Sequence, residues 1–148
     1  MSVIKYEVQV DSDGNKYWYL NGQRHREDGP AIEWASGTKS WFIKGERHRE
    51  DGPAVEYSNG DKEWYLNGEL HRVDGPAVEY VNGHTEYWIN GRVHKEDGPA
   101  IEFANGKKEY WINGEELTKS EFNNRTKIKE LTVNEIQSLL GHKIKIIE

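Results

Sequence analysis

The stretch NGQRHREDGPAIEW, residues 21–34, returns as KGERHREDGPAVEY at 44–57, as NGELHRVDGPAVEY at 67–80 and as NGRVHKEDGPAIEF at 90–103. Met once, HREDGP puts a histidine beside acids and a cation in the manner of a catalytic site. Met four times at one interval, it is a building unit. Pro30, Pro53, Pro76 and Pro99, the chain's four prolines, stand 23 residues apart, and so do His25, His48, His71 and His94 and Asp28, Asp51, Asp74 and Asp97. Of the 15 glycines, 14 fall into columns led by Gly14, Gly22 and Gly29, the last continuing as Gly52, Gly75 and Gly98. A fixed period of this size marks a repeat array, in which each copy is one supersecondary unit that buries its apolar surface only against its neighbours.

Within one copy, PAVEYSNGDKEWYLNGELHRVDG at 53–75, Val55, Tyr57, Trp64 and Leu66 alternate beside turn formers, as short strands do. SNG and LNG read as hairpin turns, where glycine accepts positive φ and asparagine tolerates it. In VDGP, Asp74 can bond its own backbone, Gly75 frees the chain direction, and Pro76 has no amide for a ladder. Two or three strands of four to six residues per unit are expected. The first hairpin admits two registers. A three-residue loop at 58–60 pairs Glu56 with Lys62 and Glu102 with Lys108, whereas a two-residue loop pairs Val55 with Trp64 and sets Glu56 against Glu63. Burying a large apolar side chain is worth roughly 1.5–3 kcal/mol against ~0.2–1 kcal/mol for an exposed charge pair, which favours the two-residue loop.

Two aromatic columns are adjacent in sequence, Trp18, Trp41, Trp64, Tyr87 and Tyr110, then Tyr19, Phe42, Tyr65, Trp88 and Trp111, so they point to opposite faces. One column is core. The second, in the favoured register, lies beside Glu33, Glu56, Glu79 and Glu102 as an outer aromatic and acidic stripe, the candidate binding surface.

The ends differ from the middle as caps do. The first unit lacks the DGP turn, and in the last Leu117 takes the place of the column histidine. Residues 1–114 thus form an array of about five units, and 115–148 a separate cap. There Thr118 with Glu121 and Thr132 with Glu135 fit capping boxes, Gly141 stops a helix, and HKIKIIE at 142–148 alternates like a strand. A strand–helix–strand cap follows. The expected fold is mainly β, an elongated array of stacked antiparallel hairpins with this small α/β element at its end.

Composition narrows the function. With 34% hydrophobic and 31% charged residues a spherical core is lean, while a one-dimensional stack needs less. The net charge of −6 lies in residues 1–114, which hold 20 acids and 14 bases, and this disfavours tracking of long nucleic acid. Without cysteine there is no disulfide framework and no thiolate metal site. No apolar run suits a membrane span and the first residues lack a secretion signal, so a cytoplasmic protein is expected. A catalytic use of HREDGP would mean four identical sites, and a metal site would need histidines that successive units hold roughly 9–10 Å apart to converge. No P-loop, dinucleotide or nucleophile-elbow motif is present. The histidines, aspartates and glycines of the column are therefore read as structural turn residues, no cofactor or metal is expected, and the chain is read as a non-enzymatic protein-binding module. A rival reading makes it a sequestering protein for a nucleotide signal, with Arg26, Arg49, Arg72 and Trp88 as contacts.

The period and the order Y-x-N-G-x-x-H-x-x-D-G-P-A resemble MORN repeats, most closely the MORN-variant HREDGPA arrays of bacteria and tailed phages, over roughly residues 8–114. In MORN repeats a glycine follows the histidine; here Arg26, Arg49, Arg72 or Lys95 does. The resemblance implies a β-hairpin array used in protein interaction, with a host-defence or toxin component as partner, and the departure argues against carrying over phospholipid binding.

Overall fold

The computed structural model of the chain describes residues 5–127 and 133–141. In each interior unit the strands are two residues long. Val55–Glu56 pairs antiparallel with Lys62–Glu63, which pairs in turn with Val78–Glu79 of the next unit. Repetition of this step builds one open antiparallel sheet of 12 strands, running from Glu7–Val10 to Glu115–Leu117. Three further hairpins, Phe42–Ile43 with Glu46–Arg47, Tyr65–Leu66 with Glu69–Leu70 and Trp88–Ile89 with Arg92–Val93, stand off it as two-stranded ribbons. The fold is mainly β, as the repeat pattern predicts.

The strands are shorter than expected because each unit feeds two ladders. Lys62 and Glu63 belong to the main sheet, Trp64 donates its amide to the Ala77 carbonyl at 2.8 Å, and Tyr65 already belongs to the ribbon. Only at the ends do both ladders meet in one five-residue strand, Lys16–Leu20 and Lys108–Ile112.

The register is the three-residue one. Val55 faces Glu63 and Glu56 faces Lys62, the reverse of the preference argued from apolar burial. Gly60, at φ +96°, closes the loop by donating to the Tyr57 carbonyl. In this register the row Lys16, Glu33, Lys39, Glu56, Lys62, Glu79, Thr85, Glu102, Lys108 alternates acids with lysines or threonine across the whole sheet. The alternative would have set Glu56 against Glu63. Apolar burial does not select the two-residue loop, because Trp64 does not need Val55 to cover it and Val55 is only 1% exposed without Trp64 opposite.

The ribbon turns carry two consecutive left-handed residues, as in Asn67 at φ 51° and Gly68 at φ 79°, the geometry of a type I′ hairpin. The core is a thin double row: Ala31, Ala54, Ala77 and Ala100, fully buried, beside buried Ile32, Val55 and Val78. Alanine is small enough for its strand to lie close under the aromatic column, whose amides at Trp18, Trp41, Trp64 and Tyr87 bond its carbonyls.

Past the array, Thr118 and Glu121 form the expected reciprocal cap, with the Glu121 amide donating to Thr118 Oγ1 and the Thr118 amide to Glu121 Oε2. Helix α1 (Lys119–Lys127) sets Phe122 against Tyr110, ring centres 4.9 Å apart, and so covers the last strands. Helix α2 (Val133–Leu140) ends at Gly141, which is left-handed at φ 69°. The cap therefore contains two helices after its strand, where one was expected. Thr132 and the proposed final strand at 142–148 lie outside the described residues. Among the described residues no helix is long and apolar enough to cross a membrane.

Candidate functional site

The residues of HREDGP are joined to one another and to their neighbours. In the unit ending at Asp74, the Arg72 guanidinium donates from Nε to Asp74 at 2.9 Å and from Nη1 to the Pro76 carbonyl at 3.2 Å and to Glu79 at 2.8 Å. Its Cζ lies 4.1 Å from the centre of the Trp64 ring. Arg26 and Arg49 repeat this arrangement with Asp28, Glu33 and Trp18, and with Asp51, Glu56 and Trp41. Hydrogen bonding from the arginine, together with its charge, holds the carboxyls of Asp51 and Asp74 below the usual aspartate value of 3.8, and Asp28 likewise.

The glycine of DGP has a different task from the one its neighbours suggest. Gly29, Gly52, Gly75 and Gly98 are not left-handed. A Cβ on Gly75 would stand 2.9 Å from Arg72 Cζ, and one on Gly52 3.0 Å from Arg49 Cζ, so the missing side chain makes room for the guanidinium. In the fourth unit Lys95 replaces the arginine. Its Nζ lies 3.8 Å from the Tyr87 ring, and a Cβ on Gly98 would meet nothing closer than 3.7 Å.

Each histidine reaches the next unit. His25 Nδ1 accepts the Lys44 amide at 3.0 Å, His48 Nδ1 that of Asn67, His71 Nδ1 that of Asn90 and His94 Nδ1 that of Asn113. Every one of these amides belongs to a left-handed turn residue. A neutral imidazole whose Nδ1 accepts carries its proton on Nε2, and at His48 the same Nδ1 also lies 3.0 Å from Asn67 Oδ1. Leu117 stands in the histidine position where no further NG turn follows, which explains the change there. The structural role read for the histidines is thus given a specific partner, a backbone amide 19 residues on.

The two aromatic columns do face opposite ways, but the acids are distributed differently from the expected stripe. Glu33, Glu56 and Glu79 share the face of Trp18, Trp41 and Trp64 through their arginines. The second aromatic column instead meets another row of acids. Trp88 Nε1 donates to Glu86 at 2.8 Å and Trp111 Nε1 to Glu109 at 3.4 Å, and outside the column the Tyr57 hydroxyl donates to Glu63 at 3.0 Å. Within that column Phe42 is buried and belongs to the core with Ala31 and Ile32, while Tyr19, Tyr65, Trp88 and Trp111 are half-buried. The stripe of Tyr19, Phe42, Tyr65, Trp88 and Trp111 with Glu33, Glu56, Glu79 and Glu102 is therefore not one surface, since the three-residue loop shifts the glutamates to the other side. Nor do Arg26, Arg49, Arg72 and Trp88 converge. Each arginine is held in its own unit, and Trp88 is on the opposite face.

What the array does present is a groove between each pair of successive DGP turns. Three follow one another, with volumes of about 750, 600 and 490 Å³. Their apolar linings are Trp41 and Ile43, then Trp64 and Leu66, then Tyr87 and Ile89. Their rims carry Arg49, Glu50 and Asp51 or the equivalent residues, and Glu50 and Val73 stand well out into solvent. Among the described residues no three His, Asp or Glu side chains come together as metal ligands.

No protein-family model matches the chain, and no curated protein matches it in sequence.

Proposed function

We propose that the chain is a non-enzymatic interaction module of the MORN-variant kind, encoded by a phage or a bacterium and acting in the cytoplasm, which holds an extended segment of a protein partner across the row of grooves between its DGP turns. The observation that carries this reading is the recurrence of one groove chemistry at three successive unit boundaries, aromatic and aliphatic at the base and charged at the rim. Aromatic bases with polar rims are what concentrated binding energy requires. The arginines and histidines are occupied in holding the turns, so they act as scaffold and the exposed residues between them as contacts.

Glu50 reaches only His48 Nε2, at 3.6 Å and from an exposed side chain, and Val73 is 81% exposed, so replacing both with lysine should change the melting temperature little. Affinity purification from the native or infected host is expected to recover a stoichiometric protein with the wild-type chain and at least ten-fold less with the double variant. A Trp88→Ala, Trp111→Ala chain, altered on the other face, should still recover it. Equal recovery by the lysine variant, or no stoichiometric protein with the wild type, contradicts the proposal.

A further inference from the structure

The second unit departs from the units that follow it on the face away from the grooves, while the first unit carries Arg24 where the second has Arg47. Where later units carry Glu63, Glu86 and Glu109 it has Ser40, and where they carry Leu70 and Val93 it has Arg47. Ser40 is fully buried and its Oγ has no hydrogen-bond partner. It lines a cavity of about 260 Å³ together with Trp34, Arg47, Val55 and Tyr57. Arg47 is half-buried. Its Nη1 donates to the Tyr65 hydroxyl at 3.3 Å and its guanidinium stacks 5.1 Å from that ring, but unlike Arg26, Arg49 and Arg72 it has no carboxylate at salt-bridge distance among the described residues.

We infer that this cavity binds a small planar organic anion, an aromatic carboxylate, whose carboxylate takes the Ser40 hydroxyl and the Arg47 guanidinium and whose ring lies against Trp34 and Tyr57. A buried hydroxyl without an acceptor and a half-buried cation without an ion-pair partner are both incompletely satisfied, and one carboxylate satisfies both. Aromatic side chains lining the same space suit a flat ring. The volume matches a single ring better than a drug-sized ligand, for which pockets run from about 300 Å³ upward. Tyr57 does not oppose the anion at neutral pH. Burial, then the charge of Glu63, pushes its phenol up to about 12, and it stays protonated as donor to Glu63.

The array itself supplies the variants. Ser40→Glu and Arg47→Leu install residues that the next unit already carries at these positions, at Glu63 and Leu70. In a nitrogen-15 titration of the whole chain, benzoate should shift the Ser40 amide and the Trp34 indole saturably. Uncharged benzamide and non-planar cyclohexanecarboxylate should each bind at least ten-fold more weakly, and so should benzoate to either variant. Ser40→Ala, which removes only the hydroxyl, gives the same reading should the glutamate not fold. No saturable shift with millimolar benzoate, equal binding of benzamide, or undiminished binding by the variants overturns the inference.

Discussion

Phe42→Ala is expected to lower the unfolding free energy by about 3–5 kcal/mol, the range for emptying an aromatic site in a packed core. Phe42 is 9% exposed, packs with Ala31 and Ile32, and lies under the Arg24 guanidinium, 5.7 Å from ring centre to Cζ. The double row of small aliphatics around it has little to move into the space. Total stabilities of single domains are about 5–15 kcal/mol, so the change should be visible as an early loss of structure around the second unit in urea. Trp111→Ala, in the same column but half-buried, should cost clearly less. A cost for Phe42→Ala of under about 1 kcal/mol would return Phe42 to the surface and undo the assignment of faces.

Arg72→Ala comes next, at about 2 kcal/mol, because one substitution removes the bonds to the Pro76 carbonyl and Glu79 and the stack on Trp64. Lys95→Ala, which removes a single stack on Tyr87, should cost about 0.5–1 kcal/mol. Gly75→Ala should act through the same guanidinium. The added Cβ pushes it out of place, so the two substitutions at 72 and 75 together should cost little more than Arg72→Ala alone, whereas Gly98→Ala should be close to neutral. Additive costs at 72 and 75 in a denaturant titration would show that the glycine serves the backbone instead. The pH dependence has a definite sign. Asp74 is held below 3.8 by the arginine, so its contribution is present at neutral pH and is lost as pH falls through and below that value, and the Arg72→Ala chain should lose less over that range.

The period, the turns and the mainly β class were legible in the sequence because each rests on local chemistry repeated in place, such as Asn67 and Gly68 accepting positive φ or Pro76 ending a ladder. The register was not. It turned on whether Trp64 would be covered by a strand neighbour or by a side chain from its own turn, and eight residues separate Trp64 from Arg72. One trace of that contact was present in the sequence: where the arginine becomes Lys95, the tryptophan becomes Tyr87. The histidine partners were hidden for a similar reason, since the acceptor of one unit and the turn amide of the next meet only after stacking. Leu117 was the sign available, a histidine lost where no following turn needs it. The grooves depend on that stacking as well, because each is lined from two units. The cavity at Ser40 lies where a repeat fails to repeat, and an alignment of the units shows the substitution but not the space it opens.

The claim that HREDGP fastens unit to unit is tested most directly at its histidines. In a uniformly nitrogen-15-labelled chain, scalar coupling across the hydrogen bond should connect the amides of Lys44, Asn67, Asn90 and Asn113 to Nδ1 of His25, His48, His71 and His94 respectively. Absence of these couplings, with the proton on Nδ1, would leave the column without its fastening role and reopen the reading of HREDGP as a site.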